Sequence, residues 1–322
     1  MEYNNPFITQ RADPYITKGI DGYYYFTASY PAFGDAEHGY DRIILRRSKT
    51  VNGLAEAKEK TIWKAHETGI MARHIWAPEI HFISDKWYVF FAAANSDDVW
   101  HIRPYVLRCE GKDPYEDSWV EMGRMQACVN DNVSFNSFSL DMTYFEHKNK
   151  HYLIWAEIIG DSSLFMAEIN PDNPQQLITK PILLTKPEYD WEKVVFRVNE
   201  GASVLKTRDK IYVFFSASGT GSEYCMGRIE AATDADLMNP SSWKKLDSPV
   251  LQTSDLSGES GPGHNSFVTD ENGDLLFVYH ARPESHIHKE CGTFCEESLY
   301  DPCRHARIRK VKFDSSGAPV LK

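Results

Sequence analysis

Positive charge is the scarcer sign in this chain: 35 Lys and Arg stand against 46 Asp and Glu, a net charge of −11 over 322 residues. That balance opposes a nucleic-acid or anionic-membrane partner, because phosphate would be repelled rather than neutralised. Long apolar runs are also missing. The longest, residues 87–94, is far too short to cross a bilayer. Residues 1–10 show no basic stretch leading into an apolar one, so a soluble, cytoplasmic chain with no membrane partner is expected. No phosphate-binding loop, dinucleotide fingerprint, nucleophilic serine elbow or His-Glu-x-x-His pair occurs. Their chemistries are excluded, and no organic cofactor is expected. Cysteine is sparse as well, with six in all. Cys109, Cys128 and Cys225 lie singly in or near strand-like segments and read as reduced. Cys291, Cys295 and Cys303 share one stretch with His286, His288 and His305. Without a Cys-x-x-Cys pair, that crowd reads as free thiols in a loop wall, ahead of a zinc site or a disulfide.

What the chain does have is a repeat. Residues 199–218 (NEGASVLKTRDKIYVFFSAS) combine a strand that opens on a carboxylate, a charged turn, and a second strand of β-branched and aromatic residues. The same pattern returns at 12–29, 77–94, 140–157 and 263–282. Aligned on the apolar strand, the copies fall at Tyr24, Tyr88, Tyr152, Tyr212 and Leu276, at intervals of 64, 64, 60 and 64. Third-strand candidates follow at 42–48, 105–109, 164–169, 224–229 and 304–313, with shorter fourth segments such as 118–122 and 243–246. Near-constant β-type repetition points to an all-β, five-bladed β-propeller spanning residues 1–322 as a single domain. Two stacked sandwiches would not explain the spacing. With 42% apolar and 13% aromatic residues, core material is ample.

Strand direction then locates a site. Consecutive antiparallel strands place the start of strand one and the loop between strands two and three on the same face. At or beside the start of strand one stand Asp13, Glu79, Asp141, Glu200 and His264, one per copy. Taken alone, Asp13 reads as a loop terminator, while His264, set by the Gly-Pro-Gly turn before it, reads as a metal ligand or a partner to the carboxylates ahead of a core histidine. Yet Asp13 and Asp141 each precede their copy's tyrosine by eleven residues, which favours convergence on the axis. Loops 30–40, 95–104 and 282–303 would wall this mouth, bringing Phe33, Trp100 and Arg103. Trp76 suits either a sugar face or packing between blades, and Glu79 has Arg73 as an alternative partner. Gly201 allows close backbone approach beside Glu200. Arg304 returns to the same face, either among the carboxylates or as a structural ion-pair partner.

An acidic funnel with aromatic walls matches the needs of glycoside hydrolysis: one carboxylic acid protonates the leaving oxygen, and one carboxylate activates water or attacks carbon. The acid must stay protonated near neutrality, about two to three units above an ordinary carboxylate, and neighbouring like charges supply such a shift. Asp13, Asp141 and Glu200 form a set of that kind.

Six motifs give this reading a family. They are RADPYI (11–16), IWAPEI (75–80), SLDMTYF (139–145), VNEGASV (198–204), GPGHNSF (261–267) and RHARIRKV (304–311). Together they resemble glycoside hydrolase family 43 over essentially the whole length. The resemblance implies a five-bladed propeller that hydrolyses with inversion. It implies Asp13 as general base, Glu200 as general acid, and Asp141 as the carboxylate that tunes pKa and positions substrate. His264 matches an axial histidine that often binds calcium, largely through water. Arg304 is similar to an active-site arginine and Trp76 to a pocket wall, and Phe33 and Asn199 join them as candidate substrate contacts. Within the family, IWAPEI and YDPCRHARIRKV most resemble exo-acting α-L-arabinofuranosidases. The expected substrates are therefore arabinose-containing oligosaccharides of arabinan or arabinoxylan type. A β-xylosidase is the alternative. A catalytically silent glycan-binding propeller is disfavoured, because a binding platform has no use for three converging carboxylates.

Overall fold

Five antiparallel sheets follow one another along the chain, each assembled from strands consecutive in sequence. The computed structural model describes residues 3–31, 39–291 and 299–322. Blade one is β1 (Ala12–Lys18), β2 (Tyr24–Ser29), β3 (Arg42–Ser48) and β4 (Lys60–Lys64). Blade two is β5 (Arg73–Ile83), β6 (Lys86–Ala94), β7 (Arg103–Cys109) and β8 (Trp119–Arg124). Blade three is β9 (Ser139–His147), β10 (Lys150–Ile159) and β11 (Asp161–Asn170), with β12 (Asn173–Leu177) and β13 (Ile182–Thr185) both pairing β11. Blade four is β14 (Asn199–Lys206), β15 (Lys210–Ala217), β16 (Cys225–Ala232) and the short β17 (Lys244–Lys245). Blade five is β18 (Glu259–Thr269), β19 (Leu275–Pro283) and β20 (His305–Lys310). Two short strands near the end, β21 (Lys312–Phe313) and β22 (Pro319–Val320), pair only with each other. This is the expected five-bladed β-propeller.

The second strand of each blade is sandwiched between neighbouring blades, which is why it reads as a continuous apolar run rather than an alternation. All six residues of β2 are buried. Blade contacts close the ring: Ile16, Tyr24 and Phe26 share one apolar cluster with Val268, Leu276 and Val278 of blade five. The segment before β1 takes part in this closure. Phe7 and Ile8 donate their N–H groups to the Ala306 carbonyl, and Ala306 donates back to Ile8. The first residues therefore cover the outer edge of β20 before entering blade one, a role not evident from their polar composition. The pairing satisfies a strand edge that would otherwise stay open.

Each inner strand is bulged where it meets the mouth. Register breaks fall between Ala12 and Tyr15, Arg73 and Glu79, Glu200 and Ser203, and Ser260 and Ser266, and the β9–β10 register breaks opposite Ile154–Ala156. At these bulges Asp13, Ala77, Asp141, Gly201 and His264 adopt positive φ, between 41° and 57°. A left-handed residue re-aims the side chains around it, and such strain gathers at functional sites. The bulge also explains a departure from expectation. In blade two the left-handed position belongs to Ala77, so Glu79 lies two residues deeper. Its carboxylate meets His81 at 2.8 Å. Arg73 turns instead to the carbonyls of Ala72 and Glu67.

Candidate active site

The bulges bring six of the expected residues into one cavity of about 140 Å³, lined by Asp13, Trp76, Asp141, Glu200, His264 and Arg304 together with Trp100, Phe138, Leu140, Thr220, Tyr224 and Leu299. Trp100 and Leu299 come from two of the three loops expected to wall the mouth. Trp76 is both wall and packing residue: it stacks on His74 at 4.4 Å and meets Tyr40 edge-on at 6.0 Å.

Asp13 is the most heavily partnered carboxylate. Its Oδ2 accepts from the Ser29 hydroxyl at 2.5 Å. Its Oδ1 lies 3.3 Å from His280 Nδ1, 3.4 Å from His264 Nδ1 and 3.7 Å from Arg304 Nη1. Burial pushes its pKa up, but His264, His280 and Arg304 outweigh burial and hold it well below the usual carboxylate range. His280 accepts the Asp13 backbone N–H on the same Nδ1 at 3.1 Å. That ring nitrogen serves one partner at a time. Burial lowers the His280 pKa to about 4; when the ring is neutral it accepts from the backbone and its support of the carboxylate is withdrawn, leaving Arg304 as the fixed cation beside Asp13. Arg304 donates to the Tyr40 hydroxyl at 2.6 Å and to the Leu299 carbonyl at 2.9 Å.

Asp141 and Glu200 titrate in the opposite direction. Burial, then Glu200 and Asp13, raise Asp141 well above its ordinary value, against the Gly201 N–H that donates to its Oδ2 at 3.0 Å. Burial raises Glu200 to about 7, opposed by the Tyr224 hydroxyl that donates to its Oε1 at 2.9 Å and reinforced by Asp13. Both buried carboxyl groups are therefore held above their ordinary range, the opposite direction to Asp13. Desolvation is the leading cause for both, ahead of the like-charge effect expected from the sequence. One carboxylate is held low beside two that are held high.

One expected contact falls elsewhere. Asn199 is fully buried behind the site. Its amide donates to Glu192 at 2.9 Å and its carbonyl accepts from Thr185 at 3.2 Å. The strand's alternation turns it away from the cavity that Glu200 faces, so it is not a substrate contact. Phe33 lies outside the described residues. Conversely, Ser29, His280, Tyr224 and Tyr40 went unrecognised as functional. Ser29 and His280 sit at the mouth ends of their second strands, at nearly the same offset, as does Ser216, whose hydroxyl accepts the His264 N–H at 2.7 Å. A polar residue closing an otherwise apolar strand was the available signal. Tyr224 immediately precedes β16 and carried none.

A propeller whose mouth holds one carboxyl group of depressed pKa and two of raised pKa has the layout of a glycoside hydrolase. The chain belongs to glycosyl hydrolase family 43, whose model matches residues 3–319. It is 43% identical over 325 residues to an extracellular exo-α-(1→5)-L-arabinofuranosidase of Streptomyces avermitilis, covering 99% of this chain and 63% of that protein. To an enzyme of the same description from Streptomyces chartreusis it is 45% identical over 291 residues, 88% of this chain and 84% of that one. The crystal structure of an α-L-arabinofuranosidase from Lactobacillus brevis superposes with a TM-score of 0.88 at 41% identity, over 99% of this chain and 96% of that one. These relatives correct one expectation. Both Streptomyces proteins are described as extracellular, which overturns the cytoplasmic placement. The physical reason is that composition at residues 1–10 does not report compartment in a chain spanning only 63% of the first relative's length.

Proposed function

We propose that this protein is an inverting, exo-acting α-L-arabinofuranosidase that releases terminal α-L-arabinofuranose from arabinan- or arabinoxylan-type oligosaccharides. The observation that carries the reading is the split in protonation: Asp13 held ionised, Glu200 raised to about 7. Asp13 takes a proton from water as its oxygen attacks the anomeric carbon. The bond from that carbon to the leaving oxygen breaks, and Glu200 delivers its proton to that oxygen. Asp141 positions the sugar. Arg304, 3.7 Å from Asp13, keeps the base ionised between turnovers.

A second cavity of about 320 Å³ supports the assignment of Glu200 as the acid. It is lined by Phe196, Val198, Tyr300 and neighbours, and it shares Trp100, Thr220, Leu299 and Glu200 with the first. Among the described residues Glu200 is the one carboxylate lining both, at the junction where a leaving group would part from a bound terminal sugar. The relatives' names favour arabinofuranosides over xylosides.

Calcium on the axis is part of the proposal, at His264. The donor set fits a water-mediated ion: His264 Nδ1 faces Asp13 and Asp141 at 3.4 and 3.7 Å, and both polar side-chain atoms of the adjacent Asn265 are buried without a protein partner. When bound, calcium adds fixed positive charge beneath the carboxylates.

A panel of nitrophenyl α-L-arabinofuranosides and β-D-xylosides tests the substrate, and a proton NMR time course of the released sugar tests the mechanism. Faster xyloside hydrolysis, or no hydrolysis, overturns the substrate class. A first-formed anomer that keeps the substrate's configuration overturns Asp13 as base.

A further inference from the structure

Away from the carboxylates, the blade-five wall gathers a second set of chemical groups that the hydrolytic reading does not use. His286 closes the short 3-10 turn Glu284–His286 after β19, Cys291 follows it, and Cys303 leads into β20. His286 Nδ1 lies 3.1 Å from Cys291 Sγ, and Cys303 Sγ lies 3.0 Å from Cys291 Sγ. All three donor atoms fall within 4.8 Å of one another.

We propose that His286, Cys291 and Cys303 form a metal site for a zinc-class ion that clamps the wall of the active-site mouth. Two thiolates and an imidazole suit a borderline-soft d¹⁰ ion far better than calcium or magnesium. Binding one Zn²⁺ releases the two thiol protons, and the third ligand is the neutral imidazole.

The imidazole distinguishes this from a thiol pair awaiting oxidation. Its other nitrogen, Nε2, meets Asp301 Oδ2 at 3.1 Å. A carboxylate there holds the proton on Nε2 and turns the Nδ1 lone pair toward the thiols, the support that metal-bound histidines use. Asp301 is itself fully buried and fixed, by Arg282 Nε at 2.5 Å and by the Cys303 N–H at 2.8 Å. A tetrahedral zinc spaces such ligands by roughly 3.5–3.8 Å, so the two pairs that include Cys291 need to open by less than about 1 Å. A disulfide would give the aimed imidazole nothing to bind.

The clamp has a consequence for the mouth. Leu299 and Tyr300, between Cys291 and Cys303, line the two cavities. The Leu299 carbonyl accepts from Arg304 and Tyr40, and the Tyr300 hydroxyl meets His74 Nε2 at 2.9 Å. An ion at the base of this wall would hold both residues in place without touching sugar.

The test is metal content, independent of which sugar the pocket takes. Purified full-length protein dialysed against zinc-limited buffer is expected to keep about one zinc per chain by elemental mass spectrometry. Cobalt substitution should give thiolate-to-metal charge-transfer absorption. Cys303→Ser and His286→Ala should lose both signals, and Asp301→Asn should weaken zinc roughly 10- to 100-fold. Because a variant might misfold, the decisive sample is the wild-type protein with an intact circular dichroism spectrum. If that sample retains no zinc and gives no cobalt charge-transfer band, the proposal is wrong. A Cys291–Cys303 disulfide in the protein as isolated, found by non-reducing peptide mapping, also overturns it.

Discussion

Gly201 donates its backbone N–H to Asp141 Oδ2 at 3.0 Å, tying the carboxylate of blade three to the residue beside the carboxylate of blade four. Glycine suits the tie. Gly201 has φ +57°, and a Cβ there would stand 3.1 Å from the His264 ring. Gly201→Ala therefore combines left-handed strain of about 1–2 kcal/mol with a displaced His264. The expected result is a Tm lower by a few degrees and a kcat reduced by at least about tenfold. Unchanged kcat and Tm would show that the contact positions nothing.

Tyr224 sets the alkaline limit of activity. Its hydroxyl bond favours the ionised form of Glu200, so Tyr224→Phe raises the Glu200 pKa above its value of about 7. The alkaline limb of kcat/KM is expected to move up by about one to two units, since a charge-assisted bond contributes about 1.5–3 kcal/mol. The acid limb reports Asp13. Its depressed pKa keeps it ionised throughout the ordinary carboxylate range, so activity should stay flat down to about pH 4. A limb moving downward in Tyr224→Phe would contradict the assignment.

Glu200→Gln and Asp13→Asn should separate by substrate. Removing the acid is expected to slow natural oligosaccharides far more than activated aryl glycosides, which need little protonation. Removing the base should slow both alike. Stability gives a second readout. Glu200 has a folded pKa of about 7 against about 4.3 unfolded, so its burial destabilises the fold progressively as pH rises between those values, by about 3–4 kcal/mol above pH 7. Glu200→Gln should then raise Tm at pH 8 and leave it nearly unchanged at pH 4. Equal Tm shifts at both would remove desolvation as the cause.

Asn199 should behave as a structural residue. It bonds the fully buried Glu192 carboxylate, which also pairs with Lys245. Asn199→Ala leaves that buried network short of a donor and is expected to lower stability by about 2–4 kcal/mol. KM for a small aryl arabinofuranoside should not change. A raised KM at unchanged stability would return Asn199 to the pocket.

Calcium removal bears on the axis alone if the chelator is calcium-selective. Treated protein is expected to melt a few degrees lower and recover on adding calcium back, and His264→Ala should show no such response. An equal response in both proteins would place the ion elsewhere, and no response in either would remove it.

The sequence by itself determined the five-fold repeat, because each blade is built from neighbours in the chain and its apolar second strand must be buried on both faces. For the same reason it located Asp13, Asp141, Glu200 and His264 at one mouth: antiparallel pairing leaves strand starts no other place. The tertiary structure decided which of the marked residues face the cavity. In blade two the left-handed bulge residue is Ala77, so Glu79 pairs with His81 instead of lining the cavity, and ordinary alternation sends Asn199 behind it, differences of one or two positions that composition does not register. Only the folded ring brings Tyr224 to Glu200, His280 to Asp13 and Tyr40 to Arg304, across separations of 24, 267 and 264 residues. Burial at that junction then sets the protonation of each carboxyl group, because desolvation depends on everything packed around the site and belongs to no residue alone.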